Sequence, residues 1–260
     1  MGIGESVKRG FNVMKRSMPV VGLYVVYGAV SNVLNIRMTT RLQGVEPGVN
    51  PRFVATIGTT IGIVLIGIFF QAGLMGYAAD QIRLGKAGVA SFLRYSLRYF
   101  LRFFTLALLL LSVLIVVGFM IAAATAGLTQ VNRMFSIALT AVLALVAVVF
   151  AMFMILSPYA VVLENKKVFP AIKQSFSLAS RHFKGILLLG LALVSIGFLA
   201  GVLLGGILGL ISLSVPALKQ SQYAVAVSGS VVNAFLGVWM TSSYMAYYLR
   251  LVPASANPNS

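Results

Sequence analysis

Residues 89–126 read VASFLRYSLRYFLRFFTLALLLLSVLIVVGFMIAAATA, and the fold is decided by how the basic front of this stretch runs into its apolar back. Arg94, Arg98 and Arg102 recur every fourth residue, which lines them along one helical face, while Phe92, Tyr95, Tyr99, Phe100 and Phe103 supply an aromatic surface. A segment of this kind lies in a membrane interface with its cations among the headgroups. The run 103–126 that follows is long enough to cross a hydrocarbon layer, which takes about 20 apolar residues.

The same device stands twice more in the chain. Lys15, Arg98 and Arg181 are 83 residues apart, each at the foot of an apolar run. Asp80-Gln-Ile-Arg83, Ala87 and Phe92 are matched by Glu164-Asn-Lys-Lys167, Ala171 and Phe176 at an offset of 84. In the third segment Ile172, Phe176, Ala179 and Phe183 recur at spacings of three and four, with Pro170 in a first turn that tolerates it. In the N-terminal arm Ile3, Val7, Phe11, Met14 and Met18 do likewise. The pattern predicts a threefold repeat of a basic interfacial helix plus a helical hairpin, in units of about 1–84, 85–168 and 169–250. After the last hairpin Tyr248-Leu-Arg250-Leu-Val-Pro253 reads like the start of another copy, and 251–260 is expected to be a disordered tail.

Composition places the repeat in a bilayer. Of 260 residues 60% are apolar and 9% charged, with a mean hydropathy of +0.99; a soluble fold could not cover that surface with four carboxylates. The formal charge of +16 would suggest nucleic acid in a soluble protein, but here the cations fall between apolar runs, so anionic lipid is the expected partner and nucleic acid is not. There is no cysteine, hence no disulfide framework or thiolate site.

Six spans are predicted, at 18–36, 53–79, 103–126, 135–163, 185–215 and 223–249, making an all-α integral membrane bundle. Fifteen cations, among them Lys8, Arg9, Arg83, Lys86, Lys166, Lys167 and Arg250, fall on the side of both termini, against Arg37, Arg41, Arg52, Arg133 and Lys219 on the other. That asymmetry predicts a cytoplasmic-membrane protein with both termini cytoplasmic. A cleaved leader would fit the basic arm, apolar core and small residues near Ala29 and Ser31, but its loss would strip the first unit of a helix the others keep.

The chemistry on offer is sparse. Gly197, Gly201, Gly205 and Gly209, like Gly58 and Gly62, clear one helical stripe for close helix packing. Polar groups within spans include Gln71, Ser157, Ser228, Ser230, Asn233, Thr241, Ser242 and Ser243, and Pro158 is placed to kink the fourth span. Asp80 and Glu164 stand at matched span ends, where Arg83 and Lys167 are their simplest partners. The lone histidine, His182, sits between Arg181 and Lys184, a setting for a headgroup contact rather than a general base. No metal-ligand cluster, phosphate loop or serine-nucleophile motif is present in the sequence, so no catalytic residue, metal or cofactor is expected.

The stretch from Pro158-Tyr159 through Glu164, Ala171 and Lys173-Gln-Ser175 to Leu178 resembles the signature of a broad group of six-helix prokaryotic membrane proteins. That group includes the membrane domain of some glycerophosphodiester phosphodiesterases. The resemblance implies an integral membrane protein linked to lipid or envelope processes; the chain has no phosphodiesterase domain, so that activity does not transfer. The expected function is non-enzymatic: binding anionic headgroups, or scaffolding membrane-protein partners, through Lys15, Arg16, Arg94, Arg98, Arg102, Lys173, Arg181, His182 and Lys184. The alternatives are a small-solute or lipid transporter using Gln71, Asn233, Thr241, Ser242, Ser243 and Tyr244, and a structural subunit of a larger membrane assembly.

Overall fold

A computed structural model describes residues 2–42, 51–128, 133–214 and 222–252. Glu46, Lys219 and the tail 253–260 lie outside the described residues, as do the surroundings of Gly205 and Gly209. Among the described residues the chain is helical, without a strand: α1 Ile3–Arg16, α2 Met18–Leu42, α3 Pro51–Leu84, α4 Val89–Leu128, α5 Arg133–Met154, α6 Ser157–Leu163, α7 Val168–Ser214 and α8 Gln222–Leu251. Six stretches are long and apolar enough to cross a membrane: Met18–Thr40, Phe53–Leu84, Val89–Ala123, Met134–Leu163, Val168–Leu203 and Val225–Leu251. The expected six-span, all-α, membrane-type fold is the one observed.

The basic segments join their spans in three different ways. The first is a separate helix: Pro19 has no backbone N–H and crowds the preceding turn, so α1 stops at Arg16 and α2 restarts at Met18. Ser17 fills the joint, fully buried, its hydroxyl donating to the Val13 carbonyl at 2.6 Å. The second segment, expected as a helix of its own, is instead the first turns of α4, which continues unbroken into the span. The third likewise continues into α7, but with a kink at His182, whose φ of −122° and ψ of 25° leave the helical region. Pro158 acts as expected, dividing the fourth span into α5 and α6.

The chain divides into two packed units, Met1–Arg98 with Leu188–Val252, and Tyr99–Leu187. In the first, α8 packs against α1, α2 and α3. The buried face of α1 is Ser6, Gly10, Val13 and Met14, at steps of four and three, rather than the apolar line through Phe11 and Met18. Gly10 is the reason, since a Cβ there would stand 2.1 Å from the Ser243 Oγ and 2.7 Å from its Cα. Next to this contact the Trp239 indole donates to the Val7 carbonyl at 3.0 Å and meets Phe11 edge to face. Within the same unit α3 takes the start of α4 through Gly73 and Gly76, which lie against Phe92, Ser96 and Tyr95. Between these contacts Met14, Val20, Val21, Leu74, Tyr77, Phe92, Ala234 and Val238 form an apolar core.

In the second unit the first turns of α7 lie on α5, with the Ser175 hydroxyl donating to the Phe153 carbonyl and the Phe153 ring against Phe176 and Phe183. The α6 helix is buried along nearly its whole length, and the Tyr99 hydroxyl donates to its Val162 carbonyl at 3.4 Å. Ser17, Ser96 and Ser175, one in each basic segment, are all fully buried and stand 79 residues apart. The helix ends at Leu84 and Leu163 share that interval, so the structural register differs from the 83 and 84 of the charged landmarks.

The glycine stripe of the fifth span does not make the expected close contact where it is described. Gly197 meets Leu236 and Met240 at an ordinary 3.7 Å, and nothing lies within 4 Å of a Cβ built on Gly201, Gly58 or Gly62. Phe198, Leu199, Val202 and Leu203 beside it are exposed, so this part of α7 faces outward.

Candidate functional site

Cations and polar groups converge at the elbow between α3 and α4. Arg9, Asn12 and Arg16 fall at steps of three and four, on one face of α1. That face borders a cavity of about 240 Å³ whose other walls are Val13, Gln81, Ile82 and Gly85. The elbow is built by Gly85, which ends α3 with a φ of +71° that a side chain would resist. Gln81 is buried and donates its amide to the Gly85 carbonyl at 3.4 Å. The Arg9 guanidinium donates to the Ile82 carbonyl at 3.5 Å, among the carbonyls left unpaired where α3 ends. Among the described residues no carboxylate lines this cavity. A neighbouring hollow of about 210 Å³ between α1 and α8 differs on that point, for Glu5 lies in its wall with Arg9 and Arg250.

The second unit has an elbow of its own, between α6 and α7, already filled by protein groups. Arg102 donates to the Asn165 carbonyl at 3.0 Å, to the Asn165 side-chain oxygen at 2.8 Å and to the Lys166 carbonyl at 3.3 Å. Asn165 there has a φ of +52°, a conformation asparagine tolerates better than most residues. Glu164 pairs with Lys166 at 2.9 Å and accepts from Gln174 at 2.6 Å, so its partner is Lys166 and not the Lys167 expected. Asp80, in the first unit, accepts from the Tyr95 hydroxyl at 2.8 Å.

The proposed lipid contacts are thereby sorted. Arg16 lines the open elbow, and Lys15 sits 4.7 Å over the Phe11 ring. Arg94 and Arg98 are exposed on α4, and Lys173, Arg181, His182 and Lys184 on α7. Arg102 is half-buried and caps the second elbow. Arg9, Asn12 and Gln81 were not singled out from the sequence, although the spacing of Arg9, Asn12 and Arg16 on one helical face was a readable signal.

The residues named for transport do not form one group. Gln71 accepts from the Tyr24 hydroxyl at 3.3 Å. Thr241, Ser242 and Ser243 are buried, Ser243 beneath Gly10, and the hydroxyls of Ser242 and Ser243 have no hydrogen-bond partner among the described residues. Tyr244 is half-buried, its hydroxyl 2.8 Å from where a Cβ on Gly190 would stand. Asn233 belongs to a separate, larger cavity, and the buried Ala234 and Val238 lie between it and Thr241 along α8.

Long apolar helices with basic elbows define a membrane-type helical bundle. The chain belongs to the DUF7847 family, a domain of unknown function, whose model matches residues 1–251. That match carries no link to glycerophosphodiester phosphodiesterases. No curated protein and no solved structure matches the chain.

Proposed function

We propose that this protein is a non-enzymatic component of the cytoplasmic membrane that binds anionic lipid headgroups at its basic end, with the α3–α4 elbow as the principal seat. One observation carries the reading: Arg9 and Arg16 border a cavity that has Asn12 and Gln81 in its wall and no carboxylate. Guanidinium groups pair with phosphate oxygens through two parallel hydrogen bonds, and amides complete such a shell without adding charge. The excess of cations on the side of both termini supports a cytoplasmic position for this end, facing an anionic leaflet. The threefold plan belongs to the same reading, supported by the three buried serines and by elbows that each receive an arginine, Arg9 in one and Arg102 in the other.

Each cation near an anionic leaflet contributes about 1 kcal/mol. Arg9→Gln with Arg16→Gln therefore lowers retention of phosphatidylglycerol over phosphatidylcholine roughly 30-fold, read by native mass spectrometry from mixed nanodiscs. Arg94→Gln with Arg98→Gln removes the same charge from a part of α4 that does not line this cavity and costs less, because no cavity-wall amides converge with those cations on a shared anion. Equal retention by wild type and the Arg9/Arg16 variant would overturn the proposal. The transport reading has weaker support, given the separation of Asn233 from the buried hydroxyls.

A further inference from the structure

A cavity of about 620 Å³ lies between α2 and α8 at the end remote from α1. Asn32, Asn35, Thr39 and Thr40 line it from α2, and Gly229 and Asn233 from α8. Its volume falls within the range of small-molecule sites, about 300–1,000 Å³. Asn32 is 14 residues beyond Met18, about 21 Å along the axis, and Asn233 is 17 residues before Arg250, about 26 Å. Both depths lie short of the far side of a hydrocarbon layer about 30 Å thick. Thr39 and Thr40, a further turn or two along α2, reach the far boundary, and Asn35, Thr39, Thr40 and Asn233 are exposed, so the cavity is an open polar notch running from the far boundary into the spans. Polar groups gathered within spans mark function by default.

Its hydrogen-bonding capacity is specific. The Asn32 amide nitrogen gives both protons to the protein, to the Ala226 carbonyl at 3.2 Å and the Ser230 hydroxyl at 2.8 Å, and keeps its carbonyl oxygen as an acceptor. Thr39 and Thr40 donate to the carbonyls one turn back, at Asn35 and Ile36, and are left as acceptors. The Asn35 and Asn233 side chains have no hydrogen bond among the described residues, so each offers an amide with two donors and one acceptor. Among the described residues no ionisable side chain stands in the lining. Planar amides and hydroxyl acceptors without charge match a neutral group bearing adjacent hydroxyls, each both donor and acceptor.

We infer that this notch binds a neutral polyhydroxylated group, either the sugar headgroup of a glycolipid or a free sugar. Neither the charge nor the position of the α3–α4 elbow enters the inference. The test uses the full chain in phosphatidylcholine nanodiscs with two probes, monoglucosyl diacylglycerol in the bilayer and methyl glucoside in solution. Asn35→Leu with Asn233→Leu removes the free amides while leaving the Asn32 bonds that hold α2 to α8. Wild type should retain the glucosyl lipid over phosphatidylcholine by roughly tenfold, or be raised in melting temperature by methyl glucoside, and the double variant should lose that response. The first result identifies a lipid headgroup as the source and the second a free sugar. The Arg9/Arg16 variant should keep the response, which separates this site from the anionic one. No response to either probe, or a response that survives in the double variant, would overturn the inference.

Discussion

The two least hydropathic spans, α2 and α8, pack against each other, whereas the two most hydropathic, α4 and α5, turn many of their largest side chains outward. Along α4 Leu108, Leu111, Leu114, Ile115, Val116 and Phe119 are exposed, and along α5 Ile137, Val142, Leu145, Val146 and Val148. Between α2 and α8, by contrast, Asn32 spans the gap to Ala226 and Ser230, and Gly28 lies against Ser230. In lipid, helices gain little by hiding apolar surface from one another, so association comes from close backbone approach and interhelical hydrogen bonds. Low hydropathy here marks helices that hold each other, and high hydropathy marks surface for lipid. Of the two cavities with polar walls and no acid among the described residues, one lies within this pair, between α2 and α8, and the other joins α1 to the end of α3.

The contrast is broken most severely at Gly10. Gly10→Ala places a methyl group inside the Ser243 backbone contact and should cost about 1–3 kcal/mol, the usual range for overpacking. Unfolding in denaturing detergent would show it, with a red shift of emission from Trp239, the single tryptophan, as α1 leaves α8. Arg102→Gln tests the second unit, where loss of bonds to Asn165 and Lys166 should cost about 1 kcal/mol by the same assay, the half-buried position reducing what a charged donor is worth. Asn32→Leu removes two hydrogen bonds at the α2–α8 contact and should cost about 1 kcal/mol, from a mean of about 0.6 kcal/mol for each such bond in membranes. Gly201→Ala, placed in open space, should change stability by less than about 0.5 kcal/mol. A penalty at Gly201 matching that at Gly10 would mean that a partner covers α7 there, and the comparison would have to be redrawn.

Much of the fold was readable from the sequence because membrane spans are long and the signal is simple. All six spans were located, and the buried stripe of α4 through Phe92, Tyr99 and Phe103 follows from the spacing of its aromatic residues. Helix continuity was less readable. The absence of a breaker between Arg98 and Phe103 lets α4 run through, whereas Pro19 stops α1, and the two segments look alike if only their charges are compared. Glycine spacing misled for a related reason. A stripe every fourth residue says that a face is narrow, but only tertiary structure says whether a helix occupies it, and isolated Gly10, Gly73 and Gly76 carry the tightest approaches. The elbow cavity joins α1 to residues some 70 positions away, and the polar notch joins α2 to α8 across most of the chain; periodicity within one helix holds no information about either meeting.

The bond from Trp239 to the carbonyl of Val7 links residues 232 positions apart. Among the described helices α1 is made first, and the helix it docks on follows the other six. Until α8 has been made, the Ser6–Gly10–Met14 face has no seat and the α3–α4 elbow lacks the wall that α1 supplies once fixed in place. A ribosome-bound chain stalled before α8 should therefore be cut by protease within α1 faster than the chain in which α8 packs on that face.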